Sequence, residues 1–266
     1  MKPTGLNRAN ENFYTKKEIA KICIESLIEE NIIEPTDLVI EPSAGDGAFI
    51  DYIKTLTDTY KFYDISPQNE EIMEEDFLKI TLKSEGKIHF VGNPPFGRQS
   101  SLAKKFIKKC SEFGNSISFI LPKSFKKESY SKTFPLNFHL IHQSDLPKNS
   151  FTINGTDHDV PCVFQIWKRK NYDRQISVKE DPKNFKFVKK DELHDISVRR
   201  VGVYAGEINT ETKDKSVTSH YFIKFLDIGT INLEIFKRIK FPTDNTVGPK
   251  SISKPELIKE FNKLIN

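Results

Sequence analysis

Residues 38–49 read Leu38-Val39-Ile40-Glu41-Pro42-Ser43-Ala44-Gly45-Asp46-Gly47-Ala48-Phe49, and the fold expectation rests on this stretch. Leu38-Val39-Ile40 is a short apolar run of the kind that makes a buried strand. Pro42 has no backbone N–H and cannot continue a central strand, so the chain turns there. Ala48 to Leu56 predicts a helix. Gly45 and Gly47, one residue apart, allow the backbone to approach a ligand closely. In open α/β sheets that place, the carboxyl end of a parallel strand, is where ligands bind. A dinucleotide fingerprint, Gly-x-Gly-x-x-Gly, would need a third glycine where Ile50 stands.

The same alternation continues outward. Upstream, Thr15-Lys16-Lys17-Glu18 has capping-box spacing, and Ile19, Ile22, Cys23, Ser26 and Leu27 share one helical face, predicting a helix to about Glu30. Downstream, strands are expected at Tyr60–Ile65, Lys87–Val91, Ile117–Leu121, Asn137–His142 and Val160–Trp167, with a helix at Ser100–Cys110. This pattern implies an α/β fold, a mostly parallel sheet flanked by helices. Near Lys170 the texture changes to short apolar runs among lysines. Residues 1–170 are therefore expected to form one domain and residues 171–266 a small C-terminal α+β element. That element ends in a helix opened by the capping box Ser253-Lys254-Pro255-Glu256.

The bulk numbers set bounds. The chain has 266 residues and a formal net charge of +4, which permits a polyanionic partner without requiring one. Cys23, Cys110 and Cys162 are far apart and odd in number. They form neither a disulfide framework nor a zinc pattern, so no metal site is expected and a reducing, intracellular compartment is. No apolar run approaches membrane-spanning length, no leader-type segment opens the chain, and a monomer is expected.

Glu41 and Asp46 put two acids in the glycine loop. They make a poor cradle for pyrophosphate and a good one for a cation. S-adenosylmethionine, with an ammonium and a sulfonium, has the fitting charge. Asp64, at the end of the second strand, is placed to hold ribose hydroxyls. In Asp76-Phe77 an acid and a ring stand together, although a turn cap and a core ring are the commoner roles of such residues. Asn93-Pro94-Pro95-Phe96 ends the third strand. Two prolines hold the Asn93 amide close to the Phe96 ring, and Asn93 and Pro94 offer carbonyl acceptors beside a flat surface. That suits a planar substrate carrying an NH2 group; a plain Pro-Pro turn is the alternative.

In this order the motifs resemble the class I S-adenosylmethionine-dependent methyltransferases that act on adenine N6, in the arrangement of the gamma (TaqI-like) class. Asn10 to Ile19, with Phe13-Tyr14-Thr15, is similar to the family's N-terminal motif, with Lys16 where the family often has proline. The resemblance covers roughly residues 10–168 and implies a Rossmann-like methyltransferase fold. It implies cofactor contacts from Phe13, Tyr14, Thr15, Ser43, Gly45, Asp46 and Gly47, with Glu41 supporting the loop. Asp64 would hold the ribose, and Asp76 and Phe77 the adenine. Asn93 and the Pro94 carbonyl would accept from the target amine, Pro95 would stiffen the turn, and Phe96 would stack on the base. Phe151 falls where the family places a ring on the base's other face. Arg199 and Arg200, with Tyr204, resemble part of a nucleic-acid recognition region, and Ser219 to Phe222 and Lys250 to Lys254 are candidates for the same surface. The order of motifs favours DNA slightly; Phe96 in the fourth motif position keeps RNA open. Two other readings stand: a protein glutamine methyltransferase using the same kind of turn, and an inactive methyltransferase fold that only binds nucleic acid.

Overall fold

The computed structural model describes residues 13–83, 86–176, 180–241 and 249–265. Residues 10–12 of the N-terminal motif lie outside them. The chain divides into two compact units, Met1–Gln175 and Ile176–Asn266.

In the first unit the elements run β1 (Tyr14–Thr15), α1 (Lys17–Glu29), β2 (Leu38–Glu41), α2 (Ile50–Ile53), β3 (Thr59–Asp64), β4 (Met73–Glu74), β5 (Ile88–Gly92), α3 (Ser101–Phe113), β6 (Ser116–Pro122), α4 (Glu128–Ser131), β7 (Phe138–Asp145), β8 (Phe151–Ile153), β9 (Thr156–His158) and β10 (Cys162–Arg169). Seven strands of the described residues form one sheet in the order β4-β3-β2-β5-β6-β10-β7. The first five are parallel, and β10 lies antiparallel between β6 and β7. The mostly parallel sheet flanked by helices is thus present, and it is Rossmann-like: the order reverses between β2 and β5. Those two strands pair directly, Ile40 opposite Phe90. Their carboxyl ends, which carry the glycine loop and the Asn-Pro-Pro-Phe turn, are neighbours at the switch point where such sheets bind ligands.

Strand alternation sorts the core into two layers. Val39, Phe62, Val91 and Ile120 face α1 and α2, whereas Leu38, Ile40, Phe90, Ile117 and Phe119 face α3. Both faces are covered, which is why these strands read as continuous apolar runs. The expected helix at 48–56 is shorter: α2 holds four residues, and hydrogen bonds from Thr55 and Leu56 back to Tyr52 and Ile53 tighten the chain beyond it into turns. The Thr15 capping box does not form. Lys16 is the N-cap of α1 and makes no side-chain cap bond, because Thr15 is extended and paired with Phe151 in the small sheet β1-β8-β9.

The opposite end of the sheet contains a buried polar triplet. His89, 2% exposed, contacts Asp37 Oδ2 at 3.0 Å through Nε2 and Ser116 Oγ at 2.8 Å through Nδ1. Burial lowers the imidazole's pKa below its ordinary value, the Asp37 carboxylate opposing this in part. The folded state therefore binds a proton less readily than the unfolded chain. Stability is complete above the ordinary histidine range and is lost as pH falls through it, by at most about 1.4 kcal/mol per pH unit. Denaturant midpoints between pH 7.5 and 5.5 should fall, and the fall should shrink in His89→Phe. An equal slope in the variant would refute this assignment.

The second unit contains β11 (Phe185–Val188), β12 (Ile196–Arg199), β13 (Ile208–Asn209), β14 (His220–Phe225), α5 (Leu233–Lys237) and α6 (Lys254–Asn262). Its antiparallel sheet has the order β11-β14-β12-β13. Leu257, Ile258 and Phe261 of α6 pack in one cluster with Phe185, Ile223 and Phe236. The Ser253–Glu256 capping box is formed in both directions. Among the described residues no helix is long and apolar enough to cross a membrane. All three cysteines are free and buried.

Candidate functional site

The glycine loop leaves β2 at Glu41. Gly45 and Gly47 have φ of 57° and 87°, the left-handed region that strains other residues. The loop is tied to β3: Ala44 N–H donates to the Tyr63 carbonyl at 2.8 Å, and Gly45 N–H to Asp64 Oδ2 at 2.8 Å. Asp64 Oδ1 accepts from Ser66 N–H at 2.9 Å. Asp64 thus holds the loop's shape, and its remaining lone pairs stay available.

Glu41, the last residue of β2, is buried against Gly92. It is 2% exposed, and its Oε2 has no hydrogen-bond partner. Burial, with Asp46 and Asp64 nearby, pushes its carboxyl well above the usual carboxylate range. Asp46 is also raised, mainly by burial, against hydrogen bonds from its own and the Ala48 N–H. The site thus concentrates three acids, and a cation would relieve their mutual repulsion.

The Asn-Pro-Pro-Phe turn leaves β5 at Gly92. A Cβ there would stand 3.0 Å from Glu41 Cγ and Oε1 at a φ of 144°, so glycine lets the strand end pass directly over Glu41. Gly92 was not singled out from the sequence; its only signal there is its position just before the turn. Pro94 is buried, Pro95 exposed, and Phe96 half-buried between the two core layers. The Phe96 carbonyl accepts from Leu102 and Ala103 N–H, which anchors the turn on the start of α3.

The Asn93 amide is oriented from outside the turn. Its Nδ2 donates to Thr15 Oγ1 at 3.1 Å, while its buried Oδ1 has no donor. The same strand reaches the loop: the Tyr14 ring lies 3.2 Å from where a Cβ on Gly45 would be. Ser43 Oγ donates to the Asn93 carbonyl at 3.4 Å. Tyr14, Thr15, Ser43, Gly45 and Asn93 therefore form one connected group, although Thr15 and Asn93 are 78 residues apart.

Other expected residues have different surroundings. Asp76 closes a turn, its Oδ1 accepting from Leu78 N–H at 3.1 Å and its Oδ2 paired with Lys79. The Phe77 ring is 1% exposed and stacked on Phe106 at 6.2 Å. Phe151 is also 1% exposed, packed in the α1 layer with Phe13 edge-on at 6.5 Å. Arg199, Arg200 and Tyr204 belong to the second unit. There Arg199 lies 5.9 Å from the centre of the exposed Tyr204 ring, and Arg200 donates through Nε and Nη2 to the Thr218 carbonyl.

No protein-family model matches this sequence, and no curated protein matches it significantly. Solved structures are similar to it. One, from Pyrococcus horikoshii and described as an RNA methyltransferase, is 13% identical with a TM-score of 0.47 over 63% of this chain and 93% of that one. The 23S rRNA methyltransferase ErmE is 17% identical, with a TM-score of 0.45 over 60% of this chain and 71% of its own. A protein from Vibrio vulnificus, described as a modification subunit of a type I restriction enzyme, is 14% identical, with a TM-score of 0.46 over 61% of this chain and 46% of its own.

Proposed function

We propose that this chain is an S-adenosylmethionine-dependent methyltransferase acting on the N6 amino group of adenine in nucleic acid. The observation that carries the reading is the Asn93 amide, with Nδ2 committed to Thr15 and Oδ1 buried without a donor, in the same turn as the half-buried Phe96. A buried acceptor without a partner costs roughly 1–3 kcal/mol. A site that tolerates this cost is prepared for a ligand that donates.

The cofactor fits the residues present. Glu41 Oε2 is a buried, unpartnered oxygen, and the acids around it suit a cationic ligand and not a pyrophosphate. Gly45, Asp46 and Gly47 would hold the amino-acid end, Tyr14 and Ser43 flank that loop, and Asp64 would hold the ribose. Asp76 and Phe77 would border the adenine, with Phe77 contributing from the core side. When bound, S-adenosylmethionine supplies an electrophilic methyl group.

The chain's own part is orientation. An exocyclic adenine amine is a weak nucleophile because its lone pair is delocalised into the ring. Asn93 Oδ1 and the Pro94 carbonyl would each accept one of its hydrogens, favouring a pyramidal nitrogen with its lone pair free. The Phe96 ring would stack on the base. Catalysis is then mainly positioning and electrostatics, and the turn requires no strong base. In a duplex the base must first leave the stack, and a ring beside the acceptors returns part of that cost. DNA is preferred as substrate by the order of the motifs, and Phe96 is the feature that favours RNA.

Labelled cofactor offered to matched duplex DNA, single-stranded RNA, capped RNA and glutamine-containing protein, followed by nucleoside and residue analysis, tests the reading. Label in N6-methyladenine is expected. Label at any other position, or in protein glutamine alone, would reject it.

A further inference from the structure

The second unit has a groove of about 710 Å³, lined in part by Phe187, Val217, Tyr221, Lys189, Lys190 and Lys254, with Asp191 as its one acid. That volume is in the range of ordinary ligand clefts. Phe187 and Tyr221 stand edge to face, 5.5 Å apart at 76°. The Tyr221 hydroxyl donates to the Ile252 carbonyl at 3.2 Å, which fixes that ring. Lys254 Nζ lies 4.6 Å from the Phe187 ring centre and 6.0 Å from that of Tyr221, and Arg200 is 5.6 Å from Tyr221. Among the described residues, Lys189, Lys190 and Lys254 have no ion-pair partner. His220, on the same wall, has its pKa lowered chiefly by burial and adds no positive charge near neutral pH.

The charge of the whole chain resides in this unit. Residues 176–266 carry 17 lysines and arginines against 13 acids, whereas residues 1–175 carry 24 of each. Rings with unpaired cations around them suit a polymer that alternates flat bases with phosphates, because every base has a π-face and every linkage a charge. An acidic peptide would use the lysines and leave the two rings without a purpose.

We infer that this groove binds a single-stranded segment of nucleic acid, with bases against Phe187 and Tyr221 and phosphates at Lys189, Lys190 and Lys254. The inference extends the proposed function but does not depend on methyl transfer.

The test measures fluorescence anisotropy of the full chain with labelled 15-nucleotide oligo-U and oligo-dT over a range of salt. Neither oligonucleotide contains adenine, so binding does not draw on the proposed target pocket. Lys189→Glu with Lys190→Glu, both exposed, should weaken binding more than tenfold and flatten the salt slope by about 1.4. Tyr221→Leu should weaken it by roughly 5- to 100-fold with the salt slope unchanged. Binding of oligo-U alone, oligo-dT alone or both, with these losses, supports the groove and identifies the sugar it accepts. Absence of binding, variants that bind like the parent, or displacement by polyglutamate as effective as by unlabelled oligonucleotide would overturn it. Any of these outcomes leaves the methyltransferase reading standing. Failure of methyl transfer with the binding losses present would strike that reading alone.

Discussion

Replacing Asn93 with alanine should reduce methyl transfer by about 100- to 1,000-fold, the usual cost of removing one preorganised polar contact at a reacting centre. Cofactor affinity should change less than threefold. The side chain bonds Thr15 and leaves Oδ1 free, and it makes no bond to the glycine loop. Its removal therefore deletes an acceptor without loosening that loop. Thr15→Val provides the companion measurement. Valine keeps the extended backbone paired with Phe151 but removes the oxygen that holds Nδ2. The amide is then free to rotate, and turnover should fall by roughly tenfold, about 1.4 kcal/mol for one hydrogen bond. Single-turnover kinetics with the cofactor at saturation read both effects. Full activity in Asn93→Ala would end the proposed mechanism, and full activity in Thr15→Val would remove Thr15 from it.

The second large effect is expected at Asp64. Its carboxylate accepts the Gly45 and Ser66 N–H groups, and under the proposed function it also meets the ribose. Hydrogen bonds to a charged acceptor contribute about 1.5–3 kcal/mol each, so Asp64→Ala should weaken cofactor binding by at least about 100-fold. Asp64→Asn, which retains one acceptor oxygen, should lose less. Asp46→Ala should also weaken cofactor binding first and turnover only through it. Calorimetry measures these constants directly, and unchanged affinity in Asp64→Ala would contradict the loop's role. The same titrations carry a pH signature. Burial and its acidic neighbours raise the Glu41 pKa well above the usual carboxylate range in the free protein. A cation arriving beside it stabilises the carboxylate, so binding should release a proton and affinity should rise with pH until Glu41 ionises unaided. Titrations in buffers of different ionisation enthalpy count that proton, and uptake in place of release would show that no cation binds there.

Much of the fold was legible because apolar strands covered on both faces leave a strong pattern. Leu38-Val39-Ile40, Lys87–Val91 and Ile117–Leu121 are such runs, and each lies within or overlaps an observed parallel strand. The Ser253 capping box was equally readable, since a four-residue motif closes on itself without help from the rest of the chain. The Thr15 motif has the same spacing and does not close. Thr15 is held in a strand by Phe151, a partner 136 residues away, and local spacing carries no record of that contact.

The candidate site divides along the same line. Local chemistry in the chain was enough to mark the Gly45–Gly47 loop, the acids Glu41, Asp46 and Asp64, and the Asn93–Phe96 turn. Each is a short segment whose residue types restrict what its backbone and side chains can do. Tertiary structure alone decided which atoms are free. Long-range contacts brought Thr15 against Asn93, Gly45 against Asp64 and Gly92 across Glu41, leaving one oxygen of Asn93 and one of Glu41 unpaired. They also turned Phe77 and Phe151 into the core. Residue type determines what a side chain is able to donate or accept, but whether that capacity remains unspent depends on partners that only folding brings within reach.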